Sequence, residues 1–186
     1  ADLPVEVRSL AGMGPVAFPE EGLDYADNAI AKARAAAEQL GEVALADDSG
    51  LEVEALDGRP GPLSARYGGP GLDDAARVTC LLEELGDRPE AERRARFVCH
   101  AACATPDGRV EVAEGVCPGR ILRAPQGEGG FGYDPVFLPD GHAVSMAELP
   151  AAVKDAISHR GRAIRRLLPA LRALLGLSGA RGADRS

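Results

Sequence analysis

Ala46-Asp47-Asp48-Ser49-Gly50 is the stretch of this sequence best suited to do chemistry. Two adjacent carboxylates follow the short apolar run Val43 to Ala46. The pattern reads as a buried strand ending in a turn, with the acids at its carboxyl end. Ligands of open α/β sheets bind at such strand ends, and paired acids there suit a divalent cation and an activated water. The competing reading is an Asx turn closing the strand, with Asp47 or Asp48 hydrogen-bonded to its own backbone.

Three further stretches carry candidate groups. Phe131-Gly132-Tyr133-Asp134-Pro135 lies in a loop that also holds Gly127, Gly129 and Gly130; an aromatic on such a loop can stack on a planar base, worth about 1 to 3 kcal/mol. The alternative is an aromatic plugging the core. Ser158-His159-Arg160-Gly161 opens a helical pattern, where free N–H groups, His159 and Arg160 could read acceptor atoms on a ligand; a plain helix cap is the alternative. Glu20 and Glu21 form an acidic pair just before the first helix.

The basic residues add a fourth signal. Of 21, only Lys32 and Lys154 are lysine and the other 19 are arginine. A compact, flexible ammonium differs physically from a planar guanidinium, so both lysines are candidate phosphate contacts. The net charge of −8 argues against duplex nucleic acid, whose phosphates demand a basic surface, while leaving room for a small anion held by local cations. No run of apolar residues is long enough to span a membrane, and no signal-like segment opens the chain. Cys80, Cys99, Cys103 and Cys117 form no Cys-x-x-Cys pair and read as reduced thiols, which implies the cytoplasm. Cys99 and Cys103, four apart in a strand pattern, share one face of a sheet.

The elements that must position these groups follow from periodicity and punctuation. A short strand is expected at Val5 to Arg8. A helix over Asp27 to Leu40 places Ile30, Ala33, Ala37 and Leu40 on one stripe, with Asn28 and Lys32 on another face. The strand before Asp47 follows, then a Gly/Pro-rich loop from Asp57 to Gly71 and a helix over Asp73 to Leu85. Arg94 to Thr105 and Val110 to Cys117 read as a hairpin joined at Pro106-Asp107-Gly108. A short strand is expected at Pro135 to Leu138, then helices over Ala147 to Ala156 and Ser158 to Leu175. Ser158 is the expected N-cap of the last helix and Arg162, Arg165 and Arg166 its solvent face. Gly176 to Ser186 reads as a frayed polar tail. The alternation predicts an α/β architecture with a mixed sheet. Its 186 residues, 45% hydrophobic and 27% charged, fit one or two compact lobes.

Taken together, these stretches resemble the inosine triphosphate pyrophosphatase family, which hydrolyses non-standard purine nucleoside triphosphates. The resemblance rests on Glu20, Gly22 to Ala29 and Lys32-Ala33; on Ala46 to Gly50; on Pro60-Gly61 and Ser64-Ala65-Arg66-Tyr67; on Gly129 to Pro135; and on Lys154 with Ile157 to Gly161. Each motif is weak alone, but all occur in the family's order over nearly the whole chain. The resemblance implies an elongated central sheet flanked by helices, with two lobes and an active-site cleft between them. It implies one domain over residues 1–178, a tail at 179–186, and a homodimer.

It also implies roles. Glu20 and Asp48 resemble the family's Mg²⁺ ligands (Mn²⁺ being the alternative ion), with Asp48 also the proton acceptor for the attacking water and Asp47 a supporting acid. Ser49, Gly132 and Tyr133 fall in segments that contact substrate. Phe131 matches the aromatic that stacks on the purine, and Asp134 the acid that reads its edge. Lys154 matches a substrate contact, His159 and Arg160 match the groups that recognise the 6-oxo group, and Lys32 falls near the triphosphate. The family pattern begins with a strand and a Thr/Ser-Gly-Asn-x-x-Lys loop that grips phosphate, whereas this sequence opens downstream of it. A nucleotide-binding protein without turnover is therefore the alternative function. Tyr25 and Asp27 stand where the family usually has Phe and Glu.

Overall fold

The computed structural model describes residues 3–11, 13 and 15–177. Its framework is a five-stranded sheet in the order β2-β1-β3-β4-β5, from Pro60–Gly61 (β2), Ala44–Val53 (β1), Arg94–Ala104 (β3), Val110–Ile121 (β4) and Phe137–Pro139 (β5). Every pairing in it is antiparallel, so the expected mixed sheet is antiparallel among the described residues. The helices are α1 (Tyr25–Leu40), α2 (Asp74–Leu85), α3 (Ala151–Ile157) and α4 (His159–Leu174).

Alternation along the strands assigns each helix a face. On β3, Ala102 and Ala104 pack on Ala29, Ala33 and Ala37 of α1, all five fully buried. The odd-numbered Cys99, Ala101 and Cys103 pack on Ala163 and Leu167 of α4. Small side chains on both sides let α1 lie close to the sheet. The same face as α4 carries the largest core, in which Leu51, Val53, Ala95 and Phe97 meet Val78, Leu81 and Leu85 of α2 and Phe137 of β5. Thus α1 covers one face, while α2 and α4 share the other.

The helix ends follow their capping residues. Asp24 accepts from Asp27 N at 2.9 Å to start α1, Asp73 from Ala76 N at 2.8 Å to start α2, and Ser158 from Gly161 N at 3.1 Å to start α4. Gly41 closes α1 in the left-handed conformation, its N–H donating to Ala37 O.

Several expectations are corrected. The strand before Asp47 does not end there: β1 runs through both acids to Val53, hydrogen-bonded along its length to β3. Antiparallel pairing with β3 satisfies the backbone, so the Asx turn does not form. Val5 to Arg8 form no strand and are exposed. The helix expected from Ala147 begins at Ala151, with Pro150, which lacks an N–H to donate, at its N-cap in an extended conformation. β4 continues past Cys117 to Ile121, where it gains β5 as a partner. Arg165 and Arg166 are exposed as expected and Arg162 is half-buried, but all three turn back to backbone oxygens. Arg162 donates to Val116 O at 2.7 Å, Arg166 to Glu114 O at 2.9 Å and Arg165 to Asp155 O at 3.0 Å, tying α4 to β4 and to α3. The tail expectation lies largely outside the described residues.

Candidate active site

Because β1 continues through Asp47 and Asp48, the two adjacent acids point to opposite faces. Asp48 faces α1, where Asn28 and Lys32 lie one helical turn apart and both reach it. Asn28 Nδ2 donates to Asp48 Oδ2 at 2.9 Å, and Lys32 Nζ donates to Oδ1 at 2.8 Å. Lys32 Nζ also donates to Glu21 Oε1 at 2.9 Å, so its ammonium bridges two carboxylates, and Arg66 approaches Glu21 Oε2 at 3.6 Å. Burial lowers the Lys32 pKa, but the bonds to Asp48 and Glu21 outweigh it and the net direction is upward. Asn28 further accepts from Gly22 N at 2.7 Å and donates to Gly22 O at 3.1 Å, clamping the acidic segment beside Asp48. Glu20 is exposed and, among the described residues, makes no hydrogen bond or ion pair.

Asp47 faces α4. Its Oδ2 accepts from Arg160 Nε at 3.0 Å and lies 2.9 Å from Arg160 Nη2. The same Nη2 donates to Ser49 Oγ at 3.3 Å, and Cys99 Sγ approaches Asp47 Oδ2 at 3.6 Å. Burial pulls the Arg160 pKa down, yet the hydrogen bond and charge of Asp47 raise it on balance. Burial and the Asp47 charge push the Cys99 thiol up to about 12, so it remains a protonated donor. Asp47 thus anchors a guanidinium rather than joining Asp48.

Arg160 stands at one side of a pocket of about 660 Å³ on this face, a size that suits a small organic ligand. Leu51, Phe97 and Met146 line it with apolar surface, and Phe131, Tyr133, Asp134, Lys154 and His159 complete its wall. Phe131 is 60% exposed, an unusual position for a large aromatic. Lys154 Nζ lies 4.9 Å and Arg160 Cζ 5.8 Å from its ring centroid. Asp134 is 4% exposed; its Oδ2 accepts from Phe131 N at 2.9 Å and from Lys154 Nζ. Gly130 has φ +78°, and an added Cβ would sit 2.2 Å from Asp134 Oδ2, so glycine is required for the loop to fold over that acid. Gly132 N donates to Asp74 Oδ2 at 2.7 Å, tethering the loop to the first turn of α2, and Tyr133 OH donates to Ser64 O at 2.9 Å.

His159 is 9% exposed and stacks on Phe97, with centroids 4.8 Å apart and rings 11° from parallel. Burial, then the neighbouring Arg160 cation, lowers its pKa to about 4. The imidazole of the free protein is therefore neutral at pH 7. Its Nδ1 is buried without a partner.

A profile of the Ham1 family matches residues 1–170. The chain belongs to the Ham1 family. Within the Ham1 relatives, a dITP/XTP pyrophosphatase of Nocardia farcinica is 55% identical over 156 residues, 84% of this chain and 76% of that protein. A dITP/XTP pyrophosphatase of Mycobacterium tuberculosis is 53% identical over 168 residues, 89% of this chain and 81% of that protein. The solved Ham1 protein of Staphylococcus aureus superposes with a TM-score of 0.78 at 42% identity, covering 89% of this chain and 84% of that one. The resemblance read from the motifs is met by these relatives.

In this Ham1 chain the two rare lysines fall on either side of β1, Lys32 against Asp48 and Lys154 against Asp134. No cluster of three His, Cys, Asp or Glu side chains that could hold a metal is present among the described residues. The oxygen donors of Asp48, and of Glu21 linked to it through Lys32, suit a hard divalent cation that takes one or two protein carboxylates and completes its shell with phosphate and water. The roles of Asn28 and of Asp47 escape the sequence reading. Asn28 has a signal, its four-residue spacing from Lys32 on α1; Asp47 has none without the strand register.

Proposed function

We propose that this chain hydrolyses non-standard purine nucleoside triphosphates (ITP, dITP and XTP) to the monophosphate and pyrophosphate. The observation that carries the reading is the division of β1: a half-buried carboxylate with two polar partners on one face, and on the other an apolar pocket ending in a fixed guanidinium. Family membership and the names of its relatives support it.

Among the described residues, Ala44 to Gly50 pair with β3 on one side and with no strand on the other. The nucleotide joins the two faces, with its base against Arg160 and its phosphates toward Asp48. Phe131 stacks on the purine. Arg160 Nη1, which has no hydrogen bond among the described residues, donates to the 6-oxo oxygen. Adenine offers an amino group there, so a donor faces a donor, a mismatch that gives large discrimination. Asp134 with Lys154 completes the polar wall.

A divalent cation, Mg²⁺, held by Asp48 and Glu20 supplies neutralisation of the triphosphate charge and activation of the nucleophile. Asp48 accepts the proton of the attacking water through a carboxylate oxygen. The new bond forms between that water oxygen and the α-phosphorus, the bond from the α-phosphorus to its bridging oxygen breaks, and pyrophosphate leaves. Lys32 holds the Asp48 carboxylate in place and adds positive charge near the phosphates. The buried thiols fit a reducing cytoplasm.

Hydrolysis of ITP in ¹⁸O-water tests this mechanism. The label is expected in the monophosphate; label in pyrophosphate or orthophosphate places the attack elsewhere and overturns it.

A further inference from the structure

The alternation of β1 turns the adjacent acids Asp47 and Asp48 to opposite faces, and the charged partner of Asp47, Arg160, lines the pocket. Arg160 gives Asp47 its Nε and Nη2 edges, and Ser49 takes a second bond from Nη2. These contacts occupy one side of the guanidinium and leave Nη1 as its remaining donor. Cys99, fully buried, donates its Sγ–H to the same Oδ2 at 3.6 Å. Asp47 is 30% exposed at its side chain and Arg160 38%; Arg160 and Ser49 line the pocket, and Asp47 stands behind them, outside the lining. None of the partners of Asp48 (Asn28, Lys32) touches this network, because they lie across the sheet.

We propose that Asp47 is a positioning residue for base recognition, acting through Arg160, and takes no part in holding the metal. This rests on the nucleotide function proposed above. A guanidinium has rotational freedom along its whole side chain; its Nε hydrogen bond and its 2.9 Å Nη2 ion-pair contact, both to Asp47 Oδ2, hold its plane. Without Asp47, Arg160 keeps its charge but not its direction. It then still attracts an anionic nucleotide, while losing the geometry that separates an oxo group from an amino group. Ser49, two residues on and on the same face, supports the same nitrogen.

The test uses the full chain with Asp47→Asn, Asp47→Ala and, as the contrast, Asp48→Asn. Binding of inosine 5′-monophosphate and adenosine 5′-monophosphate is measured by calorimetry in EDTA, and the half-saturating Mg²⁺ for ITP turnover is measured separately. Asp47→Ala is expected to lower the preference for the inosine nucleotide about tenfold or more, the loss anticipated for a misdirected charged hydrogen bond, with half-saturating Mg²⁺ unmoved. Asp47→Asn, which keeps one acceptor for Nε, is expected to retain part of the preference. Asp48→Asn is expected to leave the preference intact. A preference unchanged in Asp47→Ala, or a raised Mg²⁺ requirement in that variant, overturns the proposal. A wild-type chain that binds the inosine nucleotide selectively yet does not cleave ITP overturns the catalytic reading and leaves the role of Asp47 standing. A wild-type chain with no selectivity overturns both. A cooperative melt of each variant near the wild-type temperature shows that the differences arise in the pocket.

Discussion

Single side chains at this site have separable duties. Asp48 is the carboxylate proposed to accept the proton of the reacting water, so Asp48→Asn, which keeps its shape but can accept only one of the two hydrogen bonds given by Asn28 and Lys32, is expected to lower kcat for ITP by about 10² to 10⁴, the range for a lost general base; steady-state kinetics at saturating Mg²⁺ checks it. Arg160→Ala is expected to lower the ITP over ATP preference more than it raises the Mg²⁺ requirement, and an unchanged ratio of kcat/KM values contradicts the assignment. His159 makes a pH prediction. Its folded pKa is lowered from 6.5 to about 4 by burial and by Arg160. Between those values the unfolded chain binds a proton that the folded chain does not, so stability rises with pH across the window. The full contribution is present above 6.5 and is lost as the pH falls toward 4, amounting to roughly 3 kcal/mol. The melting temperature of the wild type is expected to drop across this window by more than that of His159→Gln; parallel curves contradict it.

At the scale of elements, the site depends on how closely α4 lies on the sheet. A Cβ at Gly115 of β4 would sit 2.1 Å from His159 O and 2.3 Å from Ala163 N, both backbone atoms that cannot yield separately. Gly115→Ala is therefore expected to cost about 1 to 3 kcal/mol and to weaken ITP binding by shifting His159 and Arg160; a urea midpoint equal to the wild type contradicts this. The cap of α4 was readable because Ser158 precedes a periodic apolar stripe, and the hairpin because Asp107-Gly108 punctuates two alternating runs; Asp24 and Asp73 cap α1 and α2, whereas the pattern placed the start of α1 at Asp27 and took Asp73 as the first residue of α2. The extent of β1 was not. Acids in a row look like a strand's end, whereas here antiparallel pairing to β3 satisfies the backbone and each acid finds its partners on its own face. Pro150 was readable as a helix boundary, yet the apolar period beginning at Ala147 masked it. The arginines of α4 look like a solvent face by periodicity; their length lets them turn back to carbonyl oxygens of β4.

The molecule as a whole assembles its candidate site from segments far apart in sequence. Glu20–Lys32, Ala46–Gly50, Ser64–Arg66, Gly129–Asp134 and Lys154–Arg160 converge on the two faces and open edge of β1. Their order and residue types were legible from the sequence, which is why the family was; the face to which each side chain points was not, since that depends on strand register and helix placement. The scarcity of lysine proved informative: both copies lie beside an acid of the site, in a chain whose net charge is −8. An acidic protein that concentrates a few cations at one place suits a small anionic substrate better than a nucleic acid. By mass action, inosine 5′-monophosphate at a hundredfold excess over its Kd is expected to stabilise the wild type by about 2.7 kcal/mol, and Arg160→Ala at the same concentration by less, which thermal melts with and without the nucleotide check. The most direct test of the central claim is the product of ITP turnover with Mg²⁺, measured beside ATP and beside Asp48→Asn. The account predicts one pyrophosphate and one inosine monophosphate per ITP, little from ATP and almost none from the variant. Binding of ITP without cleavage, or release of orthophosphate with the diphosphate, would contradict it.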